Sequence, residues 1–201
     1  MSTFARPEWD LNFIIDALDQ DGFCLLDDVY AADFFQAVRN ECLAQLDQFK
    51  QAAVQNGVVS SIRSDHILWI NQDLPTAEQH RQRLLDLGQQ LNRTFFFGIK
   101  EVEAHFACYN AGEFYALHRD NPQQKNHRVL SSVFYLHEQW QAGWGGQLRL
   151  QDKHGNWHII EPRPNRLALF QSDLLHEVLA AKQQRLSITA WLRSSSEALN
   201  W

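Results

Sequence analysis

The sequence predicts an α+β domain in which helices from the first half cover one face of a sandwich or jelly roll built by the second half. Three observations carry this. Apolar residues in the first half recur at helical spacing. From Glu101 onward the pattern changes to short segments rich in β-branched and aromatic residues, bounded by turn formers. Those segments follow one another without intervening helices.

Taken in chain order, Leu11, Ile14, Ile15 and Leu18 form the first helical stripe, with Asp10 placed to cap it. Asp21-Gly22 turns the chain into the apolar run Phe23-Cys24-Leu25-Leu26, a predicted strand. Phe34, Phe35, Val38, Cys42, Leu46 and Phe49 share one face of a long predicted helix from about Ala31 to Val54, ended by Gly57. A third helix is predicted over about Thr76 to Arg93, with Leu84, Leu85, Leu87 and Leu91 inward. Val102, Ala104, Phe106 and Cys108 then alternate with Glu101, Glu103, His105 and Ala107, the period of a strand. Further strands are predicted at Arg128–His137, Gln147–Gln151, Trp157–Glu161, Arg166–Phe170, His176–Ala180 and Arg185–Leu192. No repeat, low-complexity tract or linker divides the chain, so residues 1–201 read as one domain: 1–98 helical support and a loop within it, 99–194 the core.

The 201 residues are 45% hydrophobic and 21% charged, which excludes disordered, collagen-like and coiled-coil chains. A chain of this length buries roughly 70% of its unfolded surface and needs no disulfides. Eighteen Lys and Arg against 24 Asp and Glu give a net charge of -6, which argues against a nucleic-acid partner. Cys24, Cys42 and Cys108 show no CxxC spacing, so neither a disulfide framework nor a zinc-thiolate site is expected. Met1 to Asp10 lacks the pattern of a signal peptide, and no apolar run is long enough to cross a bilayer. The expectation is a cytoplasmic protein without a membrane partner.

Chemistry concentrates in a few residues. His118-x-Asp120, read on a strand, places both side chains on one side, and His176 opens a later strand. Two imidazoles and one carboxylate form a facial triad that leaves adjacent coordination positions open, as in non-haem Fe(II) oxygenases. The competing reading is a surface turn, because Asn121-Pro122 follows at once. Arg185, expected on the strand antiparallel to that of His176, adds a guanidinium fork suited to a carboxylate. An iron site that uses 2-oxoglutarate needs such a cation for the far carboxylate. His154 and His158 flank a Gly-Asn hairpin turn rather than sharing a helix face. His105 and His137 read as strand positions; His66, His80 and His127 as solvent-facing. Trp140 and Trp144 fall in a loop between strands.

The stretch Tyr109-Asn-Ala-Gly-Glu-Phe-Tyr115-Ala-Leu-His118-Arg-Asp120-Asn121-Pro122 resembles the iron-binding segment of 2-oxoglutarate-dependent prolyl hydroxylases, above all the animal oxygen-sensing enzymes acting on hypoxia-inducible factor and their bacterial relatives. Matching motifs follow in order: Phe134-Tyr135-Leu136, Trp144-Gly-Gly-Gln-Leu-Arg-Leu150, His176-Glu-Val178, and Arg185-Leu-Ser-Ile-Thr-Ala-Trp191. Upstream, Ile62-Arg63-Ser64-Asp65-His66-Ile67-Leu68-Trp69-Ile70 is similar to the family's segment at its substrate loop. The resemblance covers about residues 58 to 194 and implies a double-stranded β-helix, or jelly-roll, core with the N-terminal helices packed on one face.

The resemblance also implies roles. His118, Asp120 and His176 match the iron ligands. Arg185 and Tyr135 match residues at the distal carboxylate of 2-oxoglutarate, and Tyr109, aligned across a one-residue gap, a tyrosine near metal and cosubstrate. Arg128 and Trp191 match residues approaching the substrate proline, and Asp65 and Trp69 lie in the segment bordering it. Read without the family, Asp65 pairs with Arg63 or caps a turn. Implied cofactors are Fe(II), 2-oxoglutarate and O2, with ascorbate as a further candidate. The implied reaction is 4-hydroxylation of a prolyl residue in a protein, with an elongation factor of the Tu type as the expected bacterial partner and oxygen sensing as the associated role. Leu175 and Leu179 replace prolines of the animal enzymes. The end of the chain at Trp201 leaves the C-terminal helix of those enzymes short or absent. Residues from about Asn56 to Asn71 read as a lid that orders on substrate binding. The rival functions are hydroxylation of free proline or another small molecule, a non-enzymatic metal-stabilised binding domain, and nucleic-acid demethylation.

Overall fold

Strand pairing organises the molecule. A computed structural model describes residues 9–52, 61–122 and 127–195. In chain order the elements are α1 (Leu11–Gln20), β1 (Phe23–Leu26), α2 (Ala32–Leu43), a 3-10 turn (Leu46–Gln48), β2 (Lys50–Gln51), β3 (His66–Trp69), α3 (Pro75–Phe95), β4 (Glu101–Tyr109), β5 (Tyr115–His118), β6 (Arg128–Tyr135), β7 (Leu148–Gln151), β8 (Trp157–Ile160), β9 (Leu167–Gln171), β10 (His176–Val178) and β11 (Arg185–Arg193). They form a seven-stranded sheet, order β1-β9-β6-β11-β4-β3-β2, and a four-stranded sheet, order β5-β10-β7-β8, both antiparallel. This is the jelly roll that the close run of short strands predicts.

The two-residue strand period divides the large sheet into two chemically distinct faces. Leu186, Ile188, Ala190 and Leu192 of β11 join Val102, Ala104, Phe106 and Cys108 of β4 and the helical residues Ile14, Leu18, Phe34, Val38, Leu84 and Leu91 in one apolar core. Burying each such Leu, Ile or Phe contributes about 1.5–3 kcal/mol. The helices therefore cover one face, as expected. The opposite face looks across to the four-stranded sheet and carries Arg185, Ser187, Thr189 and Trp191. His105 and Ala107 are buried there too, because β4 is covered on both sides.

The helices end where local chemistry dictates. Asp10 caps α1 by accepting from Phe13 N–H at 3.0 Å. α3 starts at Pro75 without a side-chain cap of its own, and Glu41 of α2 accepts from Thr76 N–H at 3.0 Å and Ala77 N–H at 2.7 Å instead. Gly88 lets α3 approach the sheet: a Cβ there would stand 2.8 Å from Ile99 Cγ2.

Four expectations need correction. α2 ends at Leu43, well short of Val54; the 3-10 turn and β2 follow, and Leu46 and Phe49 still reach the core from outside the helix. Gly57 lies outside the described residues. His66–Trp69, expected within a lid, is strand β3, paired to both β2 and β4; residues 56–60 of that segment lie outside the described residues. His80 is fully buried on α3, not solvent-facing, with Nδ1 2.6 Å from Tyr30 Oη. His176 and Arg185 do not lie on paired strands: β10 belongs to the small sheet and β11 to the large one, so they face each other across the sandwich.

Candidate active site

His118 is the last residue of β5, and the pairing of β5 with β10 sets it opposite His176. The chain then leaves the sheet. Asn121 N–H donates to Ser172 O at 2.9 Å and its side-chain amide to Arg128 O at 2.6 Å. These bonds hold Asp120 in a buried turn between the sheets, so the pair spans a strand end and a turn rather than one strand. The turn at Asn121 is itself buried, not superficial.

The imidazoles are oriented by the backbone. His118 Nδ1 lies 2.8 Å from Ala116 O and His176 Nδ1 2.9 Å from Leu174 O. Each Nδ1–H donates to its carbonyl, which leaves both Nε2 lone pairs free. Those atoms stand 3.4 Å and 3.5 Å from the two oxygens of Asp120. One donor atom from each residue lies within 4.8 Å of the others, and among the described residues this is the one such group. Burial pushes the His176 imidazole down to about 4, keeping it in the neutral form that a metal binds. Ser131 donates to Asp120 at 2.6 Å, and Ser172 lies 2.9 Å from Ser131. Two imidazole nitrogens and one carboxylate oxygen, all aimed inward, suit a divalent iron-type ion with open positions.

The triad lines a cavity between the sheets, about 430 Å³ with its open mouth included, together with Arg185, Tyr109, Thr189 and Trp191. Arg185 is 1% exposed. Its Nε donates to Gly146 O at 2.9 Å and its Nη1 to Ser187 Oγ at 3.2 Å, while Nη2 has no partner. No acidic side chain pairs with it among the described residues. The rings of Tyr109 and Tyr135 flank the guanidinium at 4.9 and 5.0 Å. The Tyr135 hydroxyl is also buried and unpartnered; burial raises it, and the guanidinium offsets part of that rise. An unsatisfied buried polar group costs about 1–3 kcal/mol, and more when charged. A guanidinium N–H and a phenol, both idle, fit the far carboxylate of a keto acid whose other end reaches the metal. Gly146 sets this end of the site. Its φ is +67°, and a Cβ would come within 3.0 Å of Arg185 Cδ.

The other predicted residues occupy distinct places. Arg128 stacks on Trp191 at 3.5 Å and lies 3.7 Å from Glu103. Trp191 is buried and faces the cavity with Nε1 unpartnered. Trp69 is 46% exposed, 6.4 Å from Trp191. Asp65 is fully buried and does not line the cavity; it holds Arg63 in a two-pronged pair at 2.6 and 3.0 Å. Arg63 does line it, 4.8 Å above the Tyr115 ring, which stacks on His118 at 3.7 Å.

Sequence reasoning gave no site role to Arg63, Tyr115, Ser131, Thr189 or Gly146. Strand alternation puts Ser131 and Thr189 on the face of Tyr135 and Arg185, a signal that was present. Nothing local to the sequence marks Arg63 as the cavity residue and Asp65 as its support.

Comparison with known proteins agrees with this geometry. The profile described as the 2OG-Fe(II) oxygenase superfamily matches residues 104–193. The crystal structure of a Pseudomonas putida prolyl-4-hydroxylase is 33% identical, with a TM-score of 0.85, over 92% of this chain and 99% of that one. A prolyl hydroxylase from Trichoplax adhaerens, in complex with a peptide fragment of the hypoxia inducible factor oxygen degradation domain, is 27% identical with a TM-score of 0.85, over 92% and 89% of the two chains. Human Egl nine homolog 1 is 31% identical over 93% of this chain and 47% of its own length. The chain thus spans about half the length of the curated relatives it matches.

Proposed function

The chain belongs to the 2-oxoglutarate- and Fe(II)-dependent oxygenase superfamily, in its prolyl hydroxylase branch, and we propose on that premise that it hydroxylates C4 of a prolyl residue in a protein. Fe(II), 2-oxoglutarate and O2 are the family's reactants. The single observation that carries the reading is the buried Arg185 Nη2 and Tyr135 Oη, both unpartnered among the described residues, beside the cavity that the His118, Asp120 and His176 triad lines.

Those residues have separable tasks. His118, Asp120 and His176 would hold iron, their orientation fixed beforehand by Ala116 O, Leu174 O and Ser131. Arg185 and Tyr135 would take the far carboxylate of 2-oxoglutarate, giving the buried guanidinium its missing counter-charge. When bound, iron with 2-oxoglutarate and O2 supplies the oxidising power that converts C–H to C–OH, with succinate and carbon dioxide as co-products. The chain's contribution is positioning and exclusion of water. Phe170, Val133 and Leu148 supply the apolar part of the cavity wall. Arg128 and Trp191, stacked on each other, offer a face for a pyrrolidine ring.

A protein substrate is favoured by the peptide complex of the Trichoplax relative. A Tu-type elongation factor as that protein rests on the resemblance to bacterial relatives alone, and a cytoplasmic location goes with it. Among the described residues, no helix is long and apolar enough to cross a membrane. The test is mass spectrometry of a cell extract incubated with the protein, Fe(II) and 2-oxoglutarate. One proline of one protein gaining an oxygen is the expected result. Oxidation of free proline, with every protein unchanged, would replace this reading by a small-molecule hydroxylase.

A further inference from the structure

His105 is a polar residue that neither the core nor the metal site uses. It sits on the inner face of β4, with Thr189 as its neighbour on β11 and Trp69 as its neighbour on β3. Its side chain is fully buried, and neither ring nitrogen has a hydrogen-bond partner among the described residues. The indoles of Trp69 and Trp191 flank it at 5.1 and 5.2 Å. Burial, reinforced by the Arg63 and Arg128 guanidiniums, pushes the imidazole well below its ordinary value. The ring is therefore neutral, with one N–H donor and one lone pair. A leucine or phenylalanine would fill this space without idle polar atoms, so packing does not account for the residue.

The adjoining side chain repeats the pattern. Trp191 Nε1 is buried, unpartnered and able only to donate. Trp191 and Thr189 line the metal cavity, and Trp69, nearly half exposed, packs on the His105 ring from β3. The adjoining rings of His105 and Trp191 thus hold two unused N–H donors at the edge of the metal cavity. A prolyl residue in a peptide has no N–H of its own and presents carbonyl oxygens as its backbone hydrogen-bonding groups. Donors are what such a substrate needs.

We propose that His105 is a specificity-determining residue whose ring N–H donates to a substrate backbone carbonyl beside the target proline, with the Trp69 indole as the displaceable cover of that ring. This rests on the prolyl hydroxylase reading above.

Two measurements test it. In the first, the protein is loaded with 2-oxoglutarate and with Zn(II) standing in for iron, so that no turnover occurs. The ring nitrogens of His105 are followed by NMR while N-acetyl-L-proline methylamide is added, with His105→Gln identifying the signals. The protonated ring nitrogen should shift. Signals that stay still at saturating probe, or that already report a bound water unaffected by it, overturn the proposal. In the second, the polypeptide found by mass spectrometry is the substrate. His105→Leu should raise its KM roughly tenfold, the worth of one hydrogen bond. The same variant should leave the KM for 2-oxoglutarate and substrate-free 2-oxoglutarate turnover unchanged, and His105→Gln should restore most of the loss. A His105→Leu protein indistinguishable from wild type sinks this proposal alone. A wild-type protein that oxidises no protein proline sinks the hydroxylase reading and this one with it.

Discussion

Arg185 and Arg193 open and close the same strand, β11, on the same face, and each is 1% exposed. Their surroundings differ. Arg193 pairs with Glu101 at 2.7 Å and with Glu103. Arg185 meets a carbonyl, a serine hydroxyl and two aromatic rings, with one nitrogen idle. A buried cation with carboxylates beside it belongs to the fold. A buried cation denied a carboxylate can take one from a ligand, which is the role proposed for Arg185. Placement on a strand is thus not enough to tell a structural arginine from a functional one; the neighbours decide.

The largest effect should come from the metal end of the cavity. Asp120→Ala or His176→Ala is expected to abolish iron binding and to lower 2-oxoglutarate turnover by at least about 10³-fold, read by metal content and succinate release. Full activity in either variant would leave the Arg185 anchor serving some other ligand. Next, Arg185→Gln should raise the KM for 2-oxoglutarate by about 10²-fold or more while leaving apo-protein stability unchanged or slightly higher, since a charge without a counter-ion is removed. Arg193→Gln should do the reverse. It should cost about 2–3 kcal/mol of unfolding free energy, less than a fully buried pair because Glu101 and Glu103 keep contact with water, and should spare 2-oxoglutarate affinity. Equal behaviour of the two variants in urea and in 2-oxoglutarate titrations would erase the contrast.

Smaller effects sharpen it. Gly146→Ala forces a side chain into a left-handed backbone position against Arg185 Cδ and is expected to raise the KM for 2-oxoglutarate about tenfold. The mildest test is pH. Burial holds both His80 and His137 at about 3, below the ordinary value of 6.5. The unfolded chain takes up protons below pH 6.5 while the folded chain stays neutral, so stability must fall from pH 6.5 toward pH 3. Each residue contributes up to about 1.4 kcal/mol per pH unit. Urea unfolding of the apo-protein at pH 7 and pH 5 measures this; His105 and His176, also held down by burial, share the slope, so His80→Gln should flatten it by about a quarter.

Much of this was legible in the sequence. The helix-facing stripe Ile14, Leu18, Phe34, Val38, Leu84 and Leu91 and the strand run from Glu101 follow from periodicity, because burial on one face leaves a period. The triad and Arg185 were legible as residue types and ordered motifs. Their spatial relation was not, since sheet membership depends on pairings between distant strands: Arg185 turned out to face His176 rather than to neighbour it in a ladder. The extent of α2 was misread because Leu46 and Phe49 face the core from a 3-10 turn and the residue beyond it, at a spacing that a helix would also produce. His80 was misread because its burial is made by Tyr30 and Phe134, which are remote in sequence. Arg63 was overlooked for the same reason: its partner Asp65 is local, but its target, the Tyr115 ring on His118, is not.

Two of the three metal ligands, His118 and Asp120, lie at the end of β5 and two residues beyond it; β5 pairs with β10 on one side and meets residues 62–64 through a bridge between Arg63 and Tyr115 on the other. The third sits on β10. An ion bound there would tie the end of β5 to β10, across a pairing whose register is broken between His176 and Val178. Loss of metal should therefore loosen this margin first, so that protection of the Tyr115–His118 amides from hydrogen exchange becomes a gauge of occupancy while the helix-covered sheet stays rigid.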